Sequence, residues 1–288
     1  MSARIVKLVQ GTPAWHEHRK HYRNASETPA VLGLSPWMTP FQLWQLKTGR
    51  MPPQATTAAM AHGTALEPLA RQAYEGLTGD VMEPLVMVDG QYSASLDGIT
   101  LGGKRVLEIK CPKSKESKML ADAKAGRIPE HVFWQIQTQL MVSGAELAHL
   151  YVFDGNGGIL LELRRDVEAW ATLRTGWDAF IACIAEDRPP ALADQDTVIR
   201  TDELWQVAAM EYARLKADTD AMSERLDAAK QKLVALAAHH SESGCGVTVT
   251  RFWKVGNVDY KKVPQLIGVD LEFYRAPSRQ EVRVSTKA

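Results

Sequence analysis

The stretch SLDGITLGGKRVLEIKCP, residues 95–112, decides how this chain is read. A strand-like segment runs into Asp97-Gly98, Gly102-Gly103 supplies a turn, and Arg105–Cys111 continues as a second, strongly apolar strand. The pattern predicts a β-hairpin with Asp97 in a tight turn at the end of its first strand. On the second strand Glu108 and Lys110 stand two apart, so their side chains share one face. Two carboxylates that meet across a hairpin repel unless a cation lies between them. An all-oxygen set suits Mg²⁺ or Mn²⁺, completed by waters and a substrate phosphate. The Ile109 carbonyl offers a further oxygen, and Lys110 is placed to orient or help deprotonate an attacking water. An acid and a lysine two apart on an exposed strand edge are common, so residues elsewhere must decide between the two readings.

Working outward, strands are expected at 81–88, 92–99 and 105–111 as an antiparallel meander, and at 149–154 and 159–165 around a Gly-Asn-Gly-Gly turn. Helical patterning covers residues 13–50, broken at Gly33 and Ser35-Pro36. It returns at 62–79, at a basic segment near 114–125, at 130–144 and at 167–187. The fold class is therefore α/β, a mixed sheet flanked by helices. Pro68 fits the first turn of the 62–79 helix, which puts Glu67 at its start. There Glu67 either approaches the acid pair or merely complements the helix dipole. In the 130–144 helix Gln137 falls among Phe133, Ile136, Leu140 and Met141, at about 100° per residue. A buried amide needs partners, and a metal-bound water or a phosphate would serve. Gln135 and Gln139 fall on the other side and read as exposed polar residues, either one open to contact with DNA.

Pro189-Pro190 and the polar stretch after it mark a boundary, giving a domain of residues 1–190 and an extension of 191–288. From Asp202 to His240 there is neither Gly nor Pro, and apolar residues recur at heptad spacing. One series is Trp205, Tyr212, Leu226 and Leu233, interrupted by Thr219; the other is Ala208, Leu215, Met222, Ala229 and Leu236. Such a seam must be buried against this chain or against a second copy. Residues 246–263 then read as a hairpin, and a basic tail begins at Arg275.

Composition narrows the function classes. The 288 residues are 45% hydrophobic, and no run reaches the ~18 apolar residues of a membrane span. Three scattered cysteines, Cys111, Cys183 and Cys245, argue against disulfides, zinc knuckles and iron–sulfur clusters, and suit a cytoplasmic setting. There is no P-loop, which speaks against ATP-driven unwinding. Cys111 reads as a buried thiol and His239-His240 as a dipole-complementing helix end. With 34 basic and 34 acidic side chains the net charge is zero. Yet eight Lys/Arg against three acids lie between Lys104 and Arg127, and HEHRKHYR covers His16–Arg23. Where such stretches converge they can follow a phosphate backbone.

SLDGI, LEIKCP, FWQIQTQ and the preceding HGTALEPLA, in this order, resemble the YqaJ/phage lambda-type exonuclease family within the PD-(D/E)xK, restriction-endonuclease-like nucleases. The resemblance extends over roughly Trp15 to Asp187. It implies a restriction-endonuclease-like core and Mg²⁺- (or Mn²⁺-) dependent 5′-to-3′ digestion of one strand of duplex DNA from an end. It implies metal ligation by Asp97, Glu108 and the Ile109 carbonyl with Glu67 near the metal, and water positioning by Lys110 and Gln137. A W-x3-R-x6-S pattern that holds the DNA end in the family is matched by Trp15, Arg19 and Ser26, making Arg19 and Ser26 candidates for the 5′-phosphate. The resemblance also implies a ring-shaped homotrimer around DNA and, for the extension, a DNA arm, a trimer contact or a dock for a single-strand annealing protein. The alternatives are an endonuclease with the same core and a catalytically silent DNA-binding or scaffold protein.

Overall fold

The computed structural model describes residues 3–52, 56–254, 256–257, 263–266, 268–269 and 274, and divides into two compact units, 1–197 and 198–288. Among the described residues, the first unit is built on a seven-stranded mixed sheet. Its strands are β1 (Arg4–Val6), β2 (Arg23–Asn24), β3 (Met82–Asp89), β4 (Tyr92–Thr100), β5 (Arg105–Lys110), β6 (Leu147–Phe153) and β7 (Gly158–Arg164). The path is β1-β3-β4-β5-β6-β7, with β2 pairing in parallel to β4. The β5–β6 pair is also parallel, and the β1–β3, β3–β4, β4–β5 and β6–β7 pairs are antiparallel.

The helices of this unit are α1 (Pro13–His21), α2 (Thr28–Val31), α3 (Pro40–Lys47), α4 (Ala58–Thr78), α5 (Lys118–Lys124), α6 (Glu130–Ser143) and α7 (Val167–Ala185). Alternation along β5 explains the layering. Val106 joins Ile136 and Leu140 of α6 in one core cluster, and Leu107 and Ile109 join Ala70 and Tyr74 of α4 in another. Trp177 of α7, fully buried, anchors a third cluster with Leu43 and Trp44 of α3 and Met141 of α6.

Three local readings from sequence need correction. Pro68 lies inside α4, not in its first turn, because Thr57 caps the helix eleven residues upstream by accepting the Met60 amide at 3.2 Å. Glu67 therefore stands mid-helix, beyond the reach of the N-terminal dipole. Spacing also predicts one apolar face of Leu66, Leu69, Ala70, Ala73, Tyr74 and Leu77 for this helix; Ala70 and Tyr74 are buried, whereas Leu69 and Leu77 are exposed. Asp97 lies within β4 rather than at its end. The β3–β4 register slips between Glu83/Ile99 and Leu85/Leu96, so Pro84 faces both Asp97 and Gly98. A proline cannot donate to a ladder, and a bulge opposite it absorbs the missing bond. The bulge explains how Leu96 and Ile99, three apart, enter one cluster. Gly98 fits because a Cβ there would lie 2.8 Å from Met82 Cβ.

The second unit contains α8 (Glu203–Leu236) and the antiparallel pair β8 (Ser241–Gly244) and β9 (Val247–Thr250). This pair overlaps the start of the hairpin expected at 246–263, much of whose second half lies outside the described residues. Residues 255, 258–262 and the basic tail from 275 lie outside the described residues.

Candidate active site

The β4–β5 register runs Ile99–Val106 and Gly98–Leu107, and Asp97 and Glu108 are the next residues on the two strands. Both carboxylates are buried, Glu108 at 2% exposure. Asp97 Oδ2 accepts the Ile109 amide at 2.7 Å, tying the acid of one strand to the backbone of the next. Lys110 Nζ lies 2.6 Å from Glu108 Oε1. Ile109, between them, turns its side chain to the opposite core, as strand alternation requires. The acid, the acid and the lysine therefore converge at one end of the β4–β5 pair.

Glu67 reaches the same place from α4. Its Oε1 accepts Arg71 Nη2 at 2.6 Å, and Arg71 Nε donates at 2.7 Å to the Asp97 carbonyl freed at the bulge. Burial raises the Asp97 carboxyl well above the usual carboxylate range, and the charges of Glu108 and Glu67 raise it further. Glu67 is also raised, by burial first, against the lowering pull of Arg71. Burial disfavours the Lys110 ammonium, but Glu108 more than offsets it and the lysine stays above its ordinary value. Burial pushes the neighbouring Cys111 thiol up to about 11, which keeps it neutral and unsuited to nucleophilic work.

The glutamines of α6 correct the sequence reading. Gln137 is fully buried, but it faces away from the acids. Its Nε2 donates to the Arg164 carbonyl at 2.8 Å, and its Oε1 accepts from the Asp166 amide at 2.9 Å and from Trp170 Nε1 at 3.1 Å. It clamps the β7–α7 corner, where both lone pairs of its oxygen and one N–H are engaged. Gln139, read as exposed, is fully buried and donates to Glu108 Oε2 at 2.6 Å. Gln135 donates to Glu108 Oε1 at 2.7 Å and accepts from Lys110 Nζ at 3.3 Å. The face was misjudged because α6 is buried nearly all round: Val132 and Val142 join Ile136 and Leu140 in the core, so no single apolar stripe distinguishes inside from outside. Gln135 and Gln139, at i and i+4, were available as a polar row on one face.

Arg19 and Ser26 meet: Arg19 Nη1 donates to Ser26 Oγ at 3.1 Å, Nη2 lies 3.0 Å from Glu27, and the guanidinium sits 4.7 Å from the Trp15 ring centre. Trp15 Nε1 in turn donates to Ser95 Oγ at 2.8 Å, and His18 Nε2 lies 2.9 Å from Ser93 Oγ. These bonds hold α1 on β4, the strand that carries Asp97. Glu27, Ser93 and Ser95 carried no motif in the sequence; Ser93 and Ser95 take their roles from partners 75 and 80 residues away, and Glu27 from Arg19 and Lys47. A cavity of about 750 Å³, with Trp37, Pro112, Met119, Ile128 and His131 in its walls, opens beside Lys110. Trp37 is 72% exposed and meets the His131 ring edge-on at 4.8 Å.

Asp97 and Glu67, each pushed up by burial and by the charge of Glu108, form with Glu108 an all-carboxylate set, without thiolate or imidazole, that fits a hard divalent cation. Among the described residues no three His, Cys, Asp or Glu form a ready-made metal cage. Glu108 is engaged by Lys110, Gln135 and Gln139. Mg²⁺ habitually binds through one or two carboxylates plus waters and substrate phosphates, which needs no complete protein cage.

Residues 14–146 match the YqaJ-like viral recombinase domain. The chain is 29% identical over 163 residues to the uncharacterized protein YqaJ of Bacillus subtilis (strain 168), covering 54% of this chain and 50% of YqaJ. It thus spans about half the length of that curated relative. Its fold matches the crystal structure of an alkaline exonuclease, LHK-Exo from Laribacter hongkongensis, with a TM-score of 0.54 at 24% identity, over 61% of this chain and 94% of that one. The same enzyme in complex with dAMP matches equally. The resemblance read from the four sequence blocks and the α/β fold class are both met. Among the described residues no helix is long and apolar enough to cross a membrane.

Proposed function

We propose that this chain is a Mg²⁺- or Mn²⁺-dependent exodeoxyribonuclease that digests one strand of linear duplex DNA from its 5′ end. The 3′ single-stranded tails it leaves would serve recombination. The observation that carries this reading is the convergence of Asp97, Glu108 and Lys110 on adjacent strands, with Glu67 arriving from α4. The match to a viral recombinase domain and the fold shared with an alkaline exonuclease support it.

Asp97, Glu108 and the Ile109 carbonyl would hold the ion, with Glu67 beside them. When bound, such an ion neutralises phosphate charge and acidifies a coordinated water. Lys110 keeps its proton at neutral pH, so it orients the attacking water or a phosphate oxygen by donating to it. Gln135 and Gln139 fix the Glu108 carboxylate in one rotamer by donating to both of its oxygens. Arg19 and Ser26, held together beside Trp15, suit a terminal 5′-phosphate. The apolar cavity beside Lys110 has room for an unstacked terminal base. A ring-shaped homotrimer and an annealing-protein partner belong to the same proposal. An endonuclease with this core, or a silent DNA-binding protein, is less favoured: the first leaves the Arg19–Ser26 pair without a role, the second leaves a complete acid–lysine set without one.

Glu108→Gln and Lys110→Ala test the site. Each is expected to lower Mg²⁺-dependent release of nucleotides from linear duplex by about 10²–10⁴-fold while circular dichroism stays native. Digestion surviving in both folded variants would overturn the assignment.

A further inference from the structure

The helix α8 runs unbroken through 34 residues, Glu203 to Leu236, and among the described residues none of it is buried. A helix in water normally hides an apolar stripe. Here Trp205, Leu215, Met222, Leu226 and Leu236 are each at least half exposed. They belong to the two heptad series, whose span from 205 to 236 exceeds the three to four heptads that mark a coiled coil. Thr219 does not break the seam. Its hydroxyl donates to the Leu215 carbonyl at 2.8 Å, so the polar atom is satisfied within the helix and the methyl is left for packing.

We propose that α8 is a dimerisation surface whose partner is the α8 of a second copy of this chain, packed antiparallel. The charges flanking the seam choose this occupant and this direction. The positions preceding the first series are Leu204, Glu211, Asp218, Arg225 and Lys232. In an antiparallel pair with full overlap, Trp205 lies over the partner's Leu236, Tyr212 over the partner's Ala229, Thr219 over the partner's Met222, Leu226 over the partner's Leu215 and Leu233 over the partner's Ala208. Two of these layers set a large side chain against alanine, the alternation that lets helices interdigitate. The same alignment sets Glu211 beside the partner's Lys232 and Asp218 beside the partner's Arg225. By two-fold symmetry each pair occurs twice, giving four attractive contacts and no like-charge contact among these positions.

A parallel, in-register pair fares worse. It sets Glu211 against the partner's Lys216, but also Arg225 against the partner's Lys230, a repulsion repeated by symmetry. Lys216 is moreover already paired in its own helix with Asp220. Among the described residues Glu211, Asp218, Arg225 and Lys232 enter no ion pair. They form a self-complementary set, negative in the first half of the helix and positive in the second.

The experiment uses the full chain and measures mass against concentration by sedimentation equilibrium, where the single chain is 31.9 kDa. Assemblies with an even number of chains are expected, whatever ring the first unit forms. Glu211→Lys places like charges at two symmetric contacts and is expected to weaken the α8-dependent step by about tenfold. Adding Lys232→Glu restores attraction only in the antiparallel alignment, so the double variant should return to wild-type association. If the double variant is as weak as the single, the antiparallel pairing is wrong. If Glu211→Lys leaves association unchanged, or the chain runs at odd multiples of its mass only, α8 does not pair copies. All these positions are exposed, and an unchanged helical circular dichroism signal verifies that the variants fold.

Discussion

The sheet unit buries charge, and the long helix exposes hydrocarbon. Asp97, Glu108 and Gln139 lie at or below 9% exposure in the first, while Leu226 and Leu236 exceed 65% in the second. Either arrangement alone is costly in a protein that has to stand by itself. Burying carboxylates carries a desolvation penalty, and exposing an apolar seam forfeits the main driving force of folding. The two costs point outward in different directions. On the proposals above, a small divalent cation would offset the first cost and the α8 of a second copy would offset the second.

The contrast also operates at the scale of two residues. Gln137 and Gln139 are both fully buried, yet one holds the β7–α7 corner and the other holds Glu108. Substituting leucine at each should separate structure from chemistry. Gln139→Leu removes the donor to Glu108 Oε2 and is expected to lower nuclease activity by about 10–100-fold, the usual cost of losing a partner that orients a metal ligand. Gln137→Leu leaves the Asp166 amide, Trp170 Nε1 and the Arg164 carbonyl unsatisfied, which is expected to cost about 2–4 kcal/mol of stability. Its specific activity, per folded molecule, should be near wild type. Urea midpoints measured beside initial rates decide this, and the reverse pattern would put Gln137 back at the site.

A smaller effect probes the strain of the acid cluster itself. A carboxyl whose folded pKa is raised holds its proton more tightly in the folded state than in the unfolded one. Stability therefore falls as pH rises from the unfolded value through the raised folded value, and the cost persists at neutral pH. Asp97→Asn removes that charge and can still accept the Ile109 amide. In EDTA at neutral pH it is expected to melt about 2–4 °C higher than wild type, the shift that ~1 kcal/mol produces in a unit of this size. The difference should shrink toward pH 4. A variant less stable than wild type at neutral pH contradicts the like-charge account.

Much of this was legible in the sequence where neighbours decide structure. The β4–β5 hairpin, the Glu108–Lys110 face and the heptad seam of α8 all follow from spacing alone. What was illegible depended on distant contacts. The position of Pro68 inside α4 depended on a cap at Thr57, and the bulge at Asp97 on Pro84 across the ladder. The glutamine faces of α6 could not be ranked because that helix is enclosed by the sheet on one side and by α2 and α7 on others. Arg71 and Ser95 join the site through bonds across 26 and 80 residues, beyond any periodicity.

The central claim is a metal-dependent nuclease that starts from DNA ends, and one assay addresses it most directly. Linear duplex with a 5′-phosphate, the same duplex with a 5′-hydroxyl, and a closed circle are each incubated with the full chain in Mg²⁺ and in EDTA. The account predicts loss of the 5′ strand of the phosphorylated linear DNA in Mg²⁺ only, slower loss from the 5′-hydroxyl end, and an intact circle. A nicked or cut circle, or digestion that continues in EDTA, would contradict it.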